Sequence, residues 1–349
     1  MDSFSSCPIC SSNNSEKLWS ASCSEQASHF LSPLQDRKKY EILKEHITYL
    51  QKSPYISIKK CLDCDFIYSF PYRAGDKKFY DLIFSKTNKY PQERWEFEKS
   101  IEIIKESRFE NPKILEIGSG DGAFLKKLIH NNLTLKSCIT SIEYSEYGKA
   151  KINSLGINCL SIDIKDNKDK LPYKKYDFIC LFQVLEHLDS VNELINILKS
   201  LLSNKGEILI SVPNEKIIEF NELNGALLDM PPNHIGRWSK KSFEKLCELN
   251  KLNLIENYIE PFSLKNFLLM FFSYRFLRKS QNNSSIAASI KYKINKNLVW
   301  SLTRLFIIAD FLLSPIIFLK ILVFGKSLGG ESQLSRISKS NIINKNNYL

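Results

Sequence analysis

The stretch Lys113-Ile-Leu-Glu-Ile-Gly-Ser-Gly-Asp-Gly122 decides the fold of this chain. It begins with a short apolar run, which predicts a buried strand, and it ends with three closely spaced glycines. Glycine lets the backbone turn sharply and approach a ligand closely, so the pattern predicts a binding turn at the end of the strand. The third glycine comes one residue earlier than in the G-x-G-x-x-G pattern of dinucleotide sites. The acidic residues Glu116 and Asp121 would repel a pyrophosphate, whereas they suit a cationic ligand.

Short apolar runs alternate with helical patterns after this turn. Strands are predicted at 113–117, 137–143, 157–162, 176–182, 206–212 and 252–259, and most of them are separated by helices. This alternation is typical of a parallel sheet with helices on both faces. The expected fold class is therefore α/β: a Rossmann-like, doubly wound and mostly parallel sheet, with a small cysteine-containing N-terminal region and a helical C-terminal extension.

Composition divides the chain into four predicted parts. Residues 1–75 contain paired cysteines, and an amphipathic helix is predicted within them over 32–50. Residues 76–261 contain the sheet, preceded by predicted helices around Phe79–Phe84 and Trp95–Ile104. Residues 262–326 form a basic and apolar helical segment, and residues 327–349 are expected to be a flexible tail because Ser, Asn and Lys are frequent there.

Polar side chains follow the ends of the next three strands. Glu143 ends the second strand, where a carboxylate can accept hydrogen bonds from both hydroxyls of a ribose. Asp163 ends the third, where it can accept from an adenine amino group, and Ile164 can pack on the adenine ring. The sequence Gln183-Val-Leu-Glu-His-Leu188 follows the fourth strand. Ligands bind at the carboxyl ends of parallel strands, so these residues are candidates for one site, although Glu143 and Asp163 could instead be solvated strand ends.

These four motifs, in this order, resemble the class I S-adenosylmethionine-dependent methyltransferases over roughly residues 112–260. The resemblance implies S-adenosyl-L-methionine as cofactor, whose ammonium and sulfonium groups fit an acidic glycine loop. It also implies that the loop holds the methionine moiety, that Glu143 holds the ribose, and that the chain passes under the sulfonium at Gln183. The cofactor-binding residues expected from the family are Glu116, Gly118, Ser119, Gly120, Gly122, Glu143, Tyr144, Asp163, Ile164 and Gln183.

Two Cys-x-x-Cys pairs, Cys7-Pro-Ile-Cys10 and Cys61-Leu-Asp-Cys64, lie near the N-terminus. Each pair can place two thiolates on one metal ion, and four thiolates suit a closed structural zinc site. The alternatives are cysteines without metal or a redox pair, but a redox site needs only one such motif. The region resembles the zinc-binding part found ahead of some bacterial methyltransferases, including sugar methyltransferases.

Two histidines are candidate catalytic residues, because transfer to a hydroxyl or an acidic carbon also requires a base. His187 follows the fourth predicted strand, and His234 lies in a proline-rich loop after the fifth. Family members often have Pro-Pro-His-His at this loop, whereas this chain has Asn233 before His234. In the alternative interpretation, His187 stabilises its own loop and the second segment only shapes the acceptor pocket.

The net charge of +11 lies entirely within residues 262–349, where 13 basic residues face two acidic ones. The same region contains apolar runs at 267–272 and 305–324, which favours a pair of helices dipping into one leaflet of an anionic membrane. Asp310 and Pro315 count against a simple span. The alternative is a helical cap packed on the sheet or on a partner subunit.

The rest of the chain is neutral and shows no basic stripe, which counts against nucleic acid as a partner. The first residues contain no basic and apolar pattern of a secretory signal, which predicts a cytoplasmic protein that is at most peripheral on the inner membrane face. The favoured function is methyl transfer to a sugar or a lipid-linked glycan in cell-surface polysaccharide biosynthesis. The alternatives are methylation of a quinone-like or other lipid, and a non-catalytic zinc-containing scaffold.

Overall fold

The structure is a computed structural model that describes residues 6–83, 90–226 and 229–339. The described residues up to Glu106 contain three strands of an antiparallel sheet and four helices. These elements are β1 (Ser15–Ser22), α1 (Cys23–Phe30), α2 (Arg37–Gln51), β2 (Tyr55–Cys61), β3 (Ile67–Phe70), α3 (Lys77–Ile83) and α4 (Trp95–Glu106). Helix α2 begins later than predicted because the Asp36 side chain caps it by accepting from the backbone N–H of Lys39. Helix α3 matches the first predicted helix as far as Ile83, and Phe84 lies outside the described residues.

A seven-stranded sheet forms the rest of the core. The remaining strands are β4 (Ile114–Ile117), β5 (Ile139–Ile142), β6 (Asn158–Leu160), β7 (Tyr176–Phe182), β8 (Leu202–Pro213), β9 (Gly236–Arg237), β10 (Asn253–Ile259) and β11 (Ser332–Ser338). The helices are α5 (Ala123–His130), α6 (Glu146–Ser154), α7 (Ile164–Asn167), α8 (Val191–Leu201), α9 (Glu215–Leu223), α10 (Lys240–Leu249), α11 (Leu264–Ser280), α12 (Ile286–Lys293), α13 (Lys296–Leu312) and α14 (Pro315–Leu328).

The order of strands in this sheet is β10-β11-β8-β7-β4-β5-β6. The strands β6, β5, β4, β7 and β8 run parallel to one another, which confirms the predicted Rossmann-like sheet. Strand β4 lies between β7 and β5 and is buried along its whole length, as the apolar run of the opening motif predicts. The glycine turn that follows β4 therefore opens at the carboxyl edge of the parallel strands, where ligands bind.

Strand β11 corrects the prediction of a flexible tail over 327–349. It lies between β8 and β10 and is antiparallel to both. Its polar composition does not suggest a buried strand. These polar side chains can be buried because they form hydrogen bonds; that of Gln333 donates to the carbonyl of Trp238. Leu334 and Ile337 enter the two main core clusters. Residues 340–349 of the predicted tail lie outside the described residues.

The helices α11 to α14 are an insertion between β10 and β11. Phe267, Phe271 and Phe272 of α11 are buried against Phe220 of α9 and Ile321 of α14, so the insertion is packed onto the body of the protein. The opposite face of the helices α13 and α14 is exposed. Its large apolar residues include Leu298, Trp300, Leu305, Ile308, Leu312, Leu313, Ile316, Leu319, Leu322, Val323 and Phe324.

Asp310, which the sequence places within an apolar run, is buried and paired. Its carboxylate accepts two hydrogen bonds from Arg275 and one from Lys279 of α11. The ion cluster therefore joins α13 to α11 and faces the protein. In the described residues, no single helix has the length and apolarity of a membrane span; Leu298–Leu312 and Pro315–Leu328 meet those criteria only as a pair, bent by 79°.

The short strand β9 connects the two sheets. It belongs to the loop between α9 and α10, yet it pairs with β3 of the N-terminal sheet. The backbone N–H of Ser69 also donates to the carbonyl of Ile235, and that of Gly75 donates to the carbonyl of Pro232. The proline-rich loop that contains His234 is thus held by main-chain hydrogen bonds to the N-terminal part.

The placement of β11 can be tested by truncating Leu334, which is fully buried. We expect Leu334→Ala to lower the free energy of unfolding by about 2–5 kcal/mol, because it removes apolar contacts and leaves a cavity. Leu313→Ala is the matched control, since Leu313 is 83% exposed and should change stability little. Chemical denaturation of both variants gives the comparison. Equal effects would mean that residues 332–338 do not form part of the sheet.

Candidate functional site

The glycines of the loop after β4 determine its shape. Gly118 and Gly120 have φ values of +76° and +54°, which residues with a Cβ atom adopt at a cost. A Cβ atom on Gly118 would lie 2.6 Å from the side chain of Val184, and one on Gly120 would lie 2.8 Å from the ring of Tyr90. The backbone N–H of Gly118 donates to the carbonyl of Ile142 at 2.8 Å, so the loop is fixed against the end of β5.

Glu143 follows β5, and its carboxylate fixes both the loop and the next helix. One oxygen accepts from the backbone N–H of Gly120 and the other from that of Ser145, each at 2.8 Å. The side chain is almost fully buried, which excludes the alternative of a freely solvated strand end. Each carboxylate oxygen keeps further lone pairs, so the group can still accept hydrogen bonds from a ligand.

The other predicted cofactor residues are arranged around the same edge of the sheet. Asp163 caps α7 by accepting from the backbone N–H of Lys165 at 2.9 Å, and Ile164 is buried. Tyr144 is 63% exposed beside Glu143, and the pKa of its phenol is raised by partial burial and by the charges of Asp163 and Glu143. The predicted adenine and ribose residues are therefore neighbours.

Gln183 directly follows β7 with a φ of +57°, and its side chain turns toward β11. Its Nε2 atom lies 2.9 Å from the hydroxyl of Ser211 and 3.2 Å from a carboxylate oxygen of Glu96. A third oxygen, that of Ser332, lies at 3.3 Å. Gln183 thus contacts α4, β8 and β11, and it also lines a cavity at this edge of the sheet.

The buried carboxylates of the loop fit a cationic ligand. Among the described residues, the Oε2 atom of Glu116 and the Oδ1 atom of Asp121 are buried and have no hydrogen-bond partner. Burial raises the pKa of Glu116 well above its usual value, and the neighbouring charges of Glu143 and Asp121 add to the shift. An ammonium or sulfonium group at this place would supply the missing positive charge. S-adenosyl-L-methionine carries both groups, so the residues present fit this cofactor.

Two residues that the sequence did not indicate lie over the loop. The ring of Tyr90 packs on Gly120, and its hydroxyl lies 3.4 Å from that of Ser145. The amide of Gln92 donates to the Oδ2 atom of Asp121 at 2.7 Å. Both precede β4 by more than twenty residues without a recognisable spacing, so no sequence signal indicates that they lie there.

The two candidate catalytic histidines lie together at the carboxyl edge of the sheet. The ring centroids of His187 and His234 are 4.7 Å apart, at an angle of 74°. The Nδ1 atom of His187 lies 2.8 Å from the carbonyl of Asn233, and a carbonyl can only accept, so Nδ1 carries the proton. The Nδ1 atom of His234 is hydrogen-bonded to the carboxylate of Asp229. In both rings Nε2 is then the atom available for chemistry.

The charge environments of the two histidines differ. Burial lowers the pKa of His187 to about 3, and the charge of His234 acts in the same direction. Burial also opposes the charged form of His234, but the carboxylate of Asp229 outweighs it, so the pKa of His234 is raised. His187 is therefore neutral at ordinary pH, whereas the carboxylate of Asp229 favours the charged form of His234. Asp229 lacks any motif in the sequence, and only the folded loop indicates its role.

Glu186, next to His187, is a further acidic residue of this cluster. It is 1% exposed, and neither of its carboxylate oxygens has a hydrogen-bond partner among the described residues. Burial raises its pKa to about 7. The closest of these oxygens lies 3.9 Å from Nε2 of His187.

A cavity of about 250 Å³ opens beside this cluster. It extends from the end of β7 to the helical insertion, and its lining is mixed, with charged and hydroxyl groups beside a few aliphatic side chains. The lining residues are Arg94, Gln183, Pro213, Ile217, Ile218, Asn221, Asp229, His234, Tyr274, Glu331 and Ser332.

The four cysteines of the N-terminal pairs are brought together as predicted. The Sγ atoms of Cys7 and Cys64 are 3.6 Å apart, those of Cys10 and Cys61 are 3.5 Å apart, and all four lie within 4.8 Å of one another. Four thiolates at about 2.3 Å from one zinc ion would be separated by about 3.8 Å, so the cluster fits a tetrahedral zinc site. The side chain of Asn192 in α8 donates to the carbonyls of Pro8 and Ile9, which attaches the cluster to the main sheet's helices.

Residues 91–257 match a family model described as a methyltransferase domain. A malonyl-[acyl-carrier protein] O-methyltransferase 1 from Ilyobacter polytropus is 28% identical over 181 residues, which are 51% of this chain and 66% of that protein. The chain thus matches just under two thirds of that relative's length.

Two solved structures are similar at lower identity. An S-adenosylmethionine-dependent methyltransferase from Archaeoglobus fulgidus has a TM-score of 0.41 at 16% identity, covering 69% of this chain and 90% of that one. Another from Clostridium acetobutylicum has a TM-score of 0.37 at 12% identity, covering 52% and 88%. Such identities are too low to transfer a substrate.

The family match covers the glycine loop, both histidines and all the predicted cofactor-binding residues. It favours the enzyme over the non-catalytic scaffold. Residues 91–257 are therefore similar to methyltransferase domains, and the acidic glycine loop within them fits S-adenosyl-L-methionine.

Proposed function

We propose that this enzyme transfers a methyl group from S-adenosyl-L-methionine to a hydroxyl of a sugar in a lipid-linked glycan, in cell-surface polysaccharide biosynthesis. The observation that carries the proposal is the cavity beside His234, which is bounded on one side by the sheet and on the other by Tyr274 of the apolar helical insertion. An acceptor with a polar head and a lipid tail matches both parts of this arrangement.

The polar lining of the cavity supports a sugar acceptor. Asn221, Tyr274 and Glu331 line it beside the Asp229–His234 pair. These groups offer donors and acceptors to several hydroxyls at once, whereas a quinone ring needs mainly apolar surface. An acceptor that lacks one of the sugar hydroxyls would leave a buried polar group without a partner, and it would therefore bind less well than the sugar.

The cofactor supplies an electrophilic methyl group when it is bound. The residues of the glycine loop, Glu143 and Asp163 would hold it and orient the methyl carbon toward the cavity, which is the main catalytic contribution in a direct displacement. The bound cofactor would supply the methyl carbon and keep the electron pair of its carbon–sulfur bond, and the acceptor oxygen would lose its proton as it takes up that carbon. His187 and His234 would each promote the loss of that proton while the Nε2 atom of the ring is unprotonated.

The exposed apolar face of α13 and α14 supports binding to an anionic membrane surface. Leu313 and Ile316, at the bend between the helices, are 83% and 70% exposed. Arg304 stacks on Trp300 with its guanidinium 3.4 Å from the ring centroid, and Lys320 and Lys326 lie on α14. Apolar side chains flanked by cations match the boundary between acyl chains and anionic headgroups.

The cysteine cluster supports a structural zinc ion that stiffens the N-terminal part. This part holds the loop of His234 through β3 and β9. A closed site with four thiolates has no position for a substrate, so its role would be to fix that loop.

The cofactor site is tested by Glu143→Ala. We expect the dissociation constant for S-adenosyl-L-methionine in calorimetry to rise about 10- to 100-fold, because hydrogen bonds to a charged group are each worth about 1.5–3 kcal/mol. Glu146→Ala is the control, since this side chain is exposed three residues further on. Unchanged affinity in Glu143→Ala, or binding of NAD in preference, would contradict the assignment.

The acceptor class is tested with cofactor labelled in its methyl group and three probes: a bacterial membrane extract containing polyprenyl-linked glycans, a demethylated quinone, and malonyl-[acyl-carrier protein]. We expect label in the glycolipid fraction, released into water as sugar by mild acid. Label that stays in the organic phase would indicate a quinone or another lipid, and label released by alkali as methanol would indicate a carboxyl acceptor.

The histidine pair is tested in the same assay with whichever probe accepts the label. We expect His234→Ala to lower kcat about 100-fold or more while leaving cofactor affinity unchanged, because it removes a group that acts on the acceptor proton. His130→Ala is the control at an exposed histidine of α5. If both variants keep full kcat, His234 has no part in the reaction.

The zinc site is tested by metal analysis. We expect about one zinc ion per chain in the wild type and its loss, with a lower unfolding temperature, in Cys61→Ser. Cys138→Ser is the control, since Cys138 lies in a helical turn remote in sequence from both pairs. A wild-type protein that is fully folded and contains no metal after purification without chelator would refute the zinc site.

The membrane face is tested by vesicle sedimentation. We expect the double variant Leu313→Asp and Ile316→Asp to lose binding to vesicles that contain anionic phospholipid, because each change places a carboxylate at the boundary between acyl chains and headgroups. Leu135→Asp with Leu249→Asp changes the net charge equally at exposed leucines outside the insertion. Full-length variants are required, because a truncation before Ser332 would remove β11. If the wild-type protein does not sediment with such vesicles at low salt, the proposal that this face binds a membrane is refuted.

A further inference from the structure

Three side chains at the carboxyl edge of the sheet, those of Glu186, His187 and His234, converge on one point. One potential ligand atom of each lies within 4.8 Å of those of the other two. Two residues are sequence neighbours after β7, and the third comes from the loop that β9 holds in place. We propose that they bind one divalent transition-metal ion, distinct from the zinc ion of the cysteine cluster.

The hydrogen bonds of the two imidazoles match those of metal ligands. A histidine that binds a metal through one nitrogen usually donates from the other nitrogen to a carboxylate or a backbone carbonyl. His234 makes the first kind of contact, with Asp229, and His187 makes the second, with the carbonyl of Asn233. Both contacts use Nδ1, so both Nε2 atoms remain as ligands.

The carboxylate of Glu186 supplies the independent observation. It is 1% exposed, and neither of its oxygens has a hydrogen-bond partner among the described residues, so a buried charge there lacks direct ligands. Two arginines of this region form hydrogen bonds with other carboxylates: Arg237 donates twice to Glu222, and Arg94 donates to Glu96. A divalent ion would neutralise this carboxylate directly.

The ligand set also indicates which ions are suitable. Two imidazoles and one carboxylate favour Mn²⁺, Fe²⁺, Co²⁺, Ni²⁺ or Zn²⁺ over Mg²⁺ and Ca²⁺, which prefer oxygen ligands alone. Three protein ligands leave coordination positions for other groups, unlike the closed cysteine cluster. His234 also lines the acceptor cavity, so one of these positions would face the acceptor.

The consequence for the reaction rests on the proposed function, whereas the binding site does not. A divalent charge beside the cavity favours the deprotonated form of an acceptor hydroxyl, with the proton passing to water. His187 and His234 would then promote loss of the acceptor proton indirectly, by binding the ion together with Glu186.

The experiment uses full-length protein with its cysteine cluster intact and Mn²⁺ as the probe. Electron paramagnetic resonance counts the Mn²⁺ ions that lose the free-ion signal, and elemental analysis counts every metal retained after gel filtration. Mn²⁺ prefers nitrogen and oxygen to thiolate ligands, so the cysteine cluster will not compete. We expect the wild type to retain two metal ions per chain, one of them exchangeable for Mn²⁺.

The variants Glu186→Gln and His187→Ala should each lose the exchangeable ion, while His130→Gln should keep it and Cys61→Ser should still bind Mn²⁺. Glu186→Gln keeps the size of the side chain and removes a buried charge, so it should fold. Added Mn²⁺ should raise the unfolding temperature of the wild type and not that of Glu186→Gln. Equal Mn²⁺ binding by the wild type and Glu186→Gln, or no exchangeable ion in the wild type, would overturn the proposal.

The labelled-methyl assay separates this proposal from the proposed function. Mn²⁺ binding that depends on Glu186, without methylation of any of the three probes, would support the metal site and refute the function. Full methyl transfer by a protein without an exchangeable ion would support the function and refute the metal site. Loss of kcat on removing the ion, with cofactor affinity unchanged and activity restored by Mn²⁺, would support both.

Discussion

The main-chain pairing between β3 and β9 is the contact on which the arrangement of the site depends. It joins an N-terminal sheet, closed at one end by four cysteines, to the loop that carries His234 and Asp229. Without this pairing the loop would sample many conformations. Fixing it in one costs about 1–2 kcal/mol of backbone entropy per residue. The pairing restricts the loop to one conformation, in which His234 meets His187 from the end of β7.

The helical insertion extends the same site toward a surface of different character. Tyr274 of α11 lines the acceptor cavity, while α13 and α14 present apolar side chains to the outside. The buried contacts of Asp310 with Arg275 and Lys279 hold the helices together without placing an uncompensated charge among apolar residues. In the proposed function, the sugar and the lipid of the acceptor would contact adjoining faces of one structure.

Much of the fold could be predicted from local sequence. The strands from β4 to β8 have apolar runs, and the glycine loop and Glu143 lie at their ends as expected. Strand β11 could not be predicted, because its buried serines and Gln333 are satisfied only by long-range partners. The same holds for Tyr90 over the loop and for Asp229 beside His234, since neither lies at a motif spacing. Sequence patterns report local periodicity, whereas these contacts depend on the folded topology.

The position of β11 has a consequence for the order of events during synthesis. This strand lies between β8 and β10, so the sheet stays open along that line until residues 332–338 have left the ribosome. The hydrophobic helices are made before that moment and can meet a bilayer while β8 and β10 still expose unpaired edges. Closure of the sheet is a late, long-range step, of the kind that slows folding. A nascent chain that reaches the membrane first would have its helices oriented before its catalytic domain is complete.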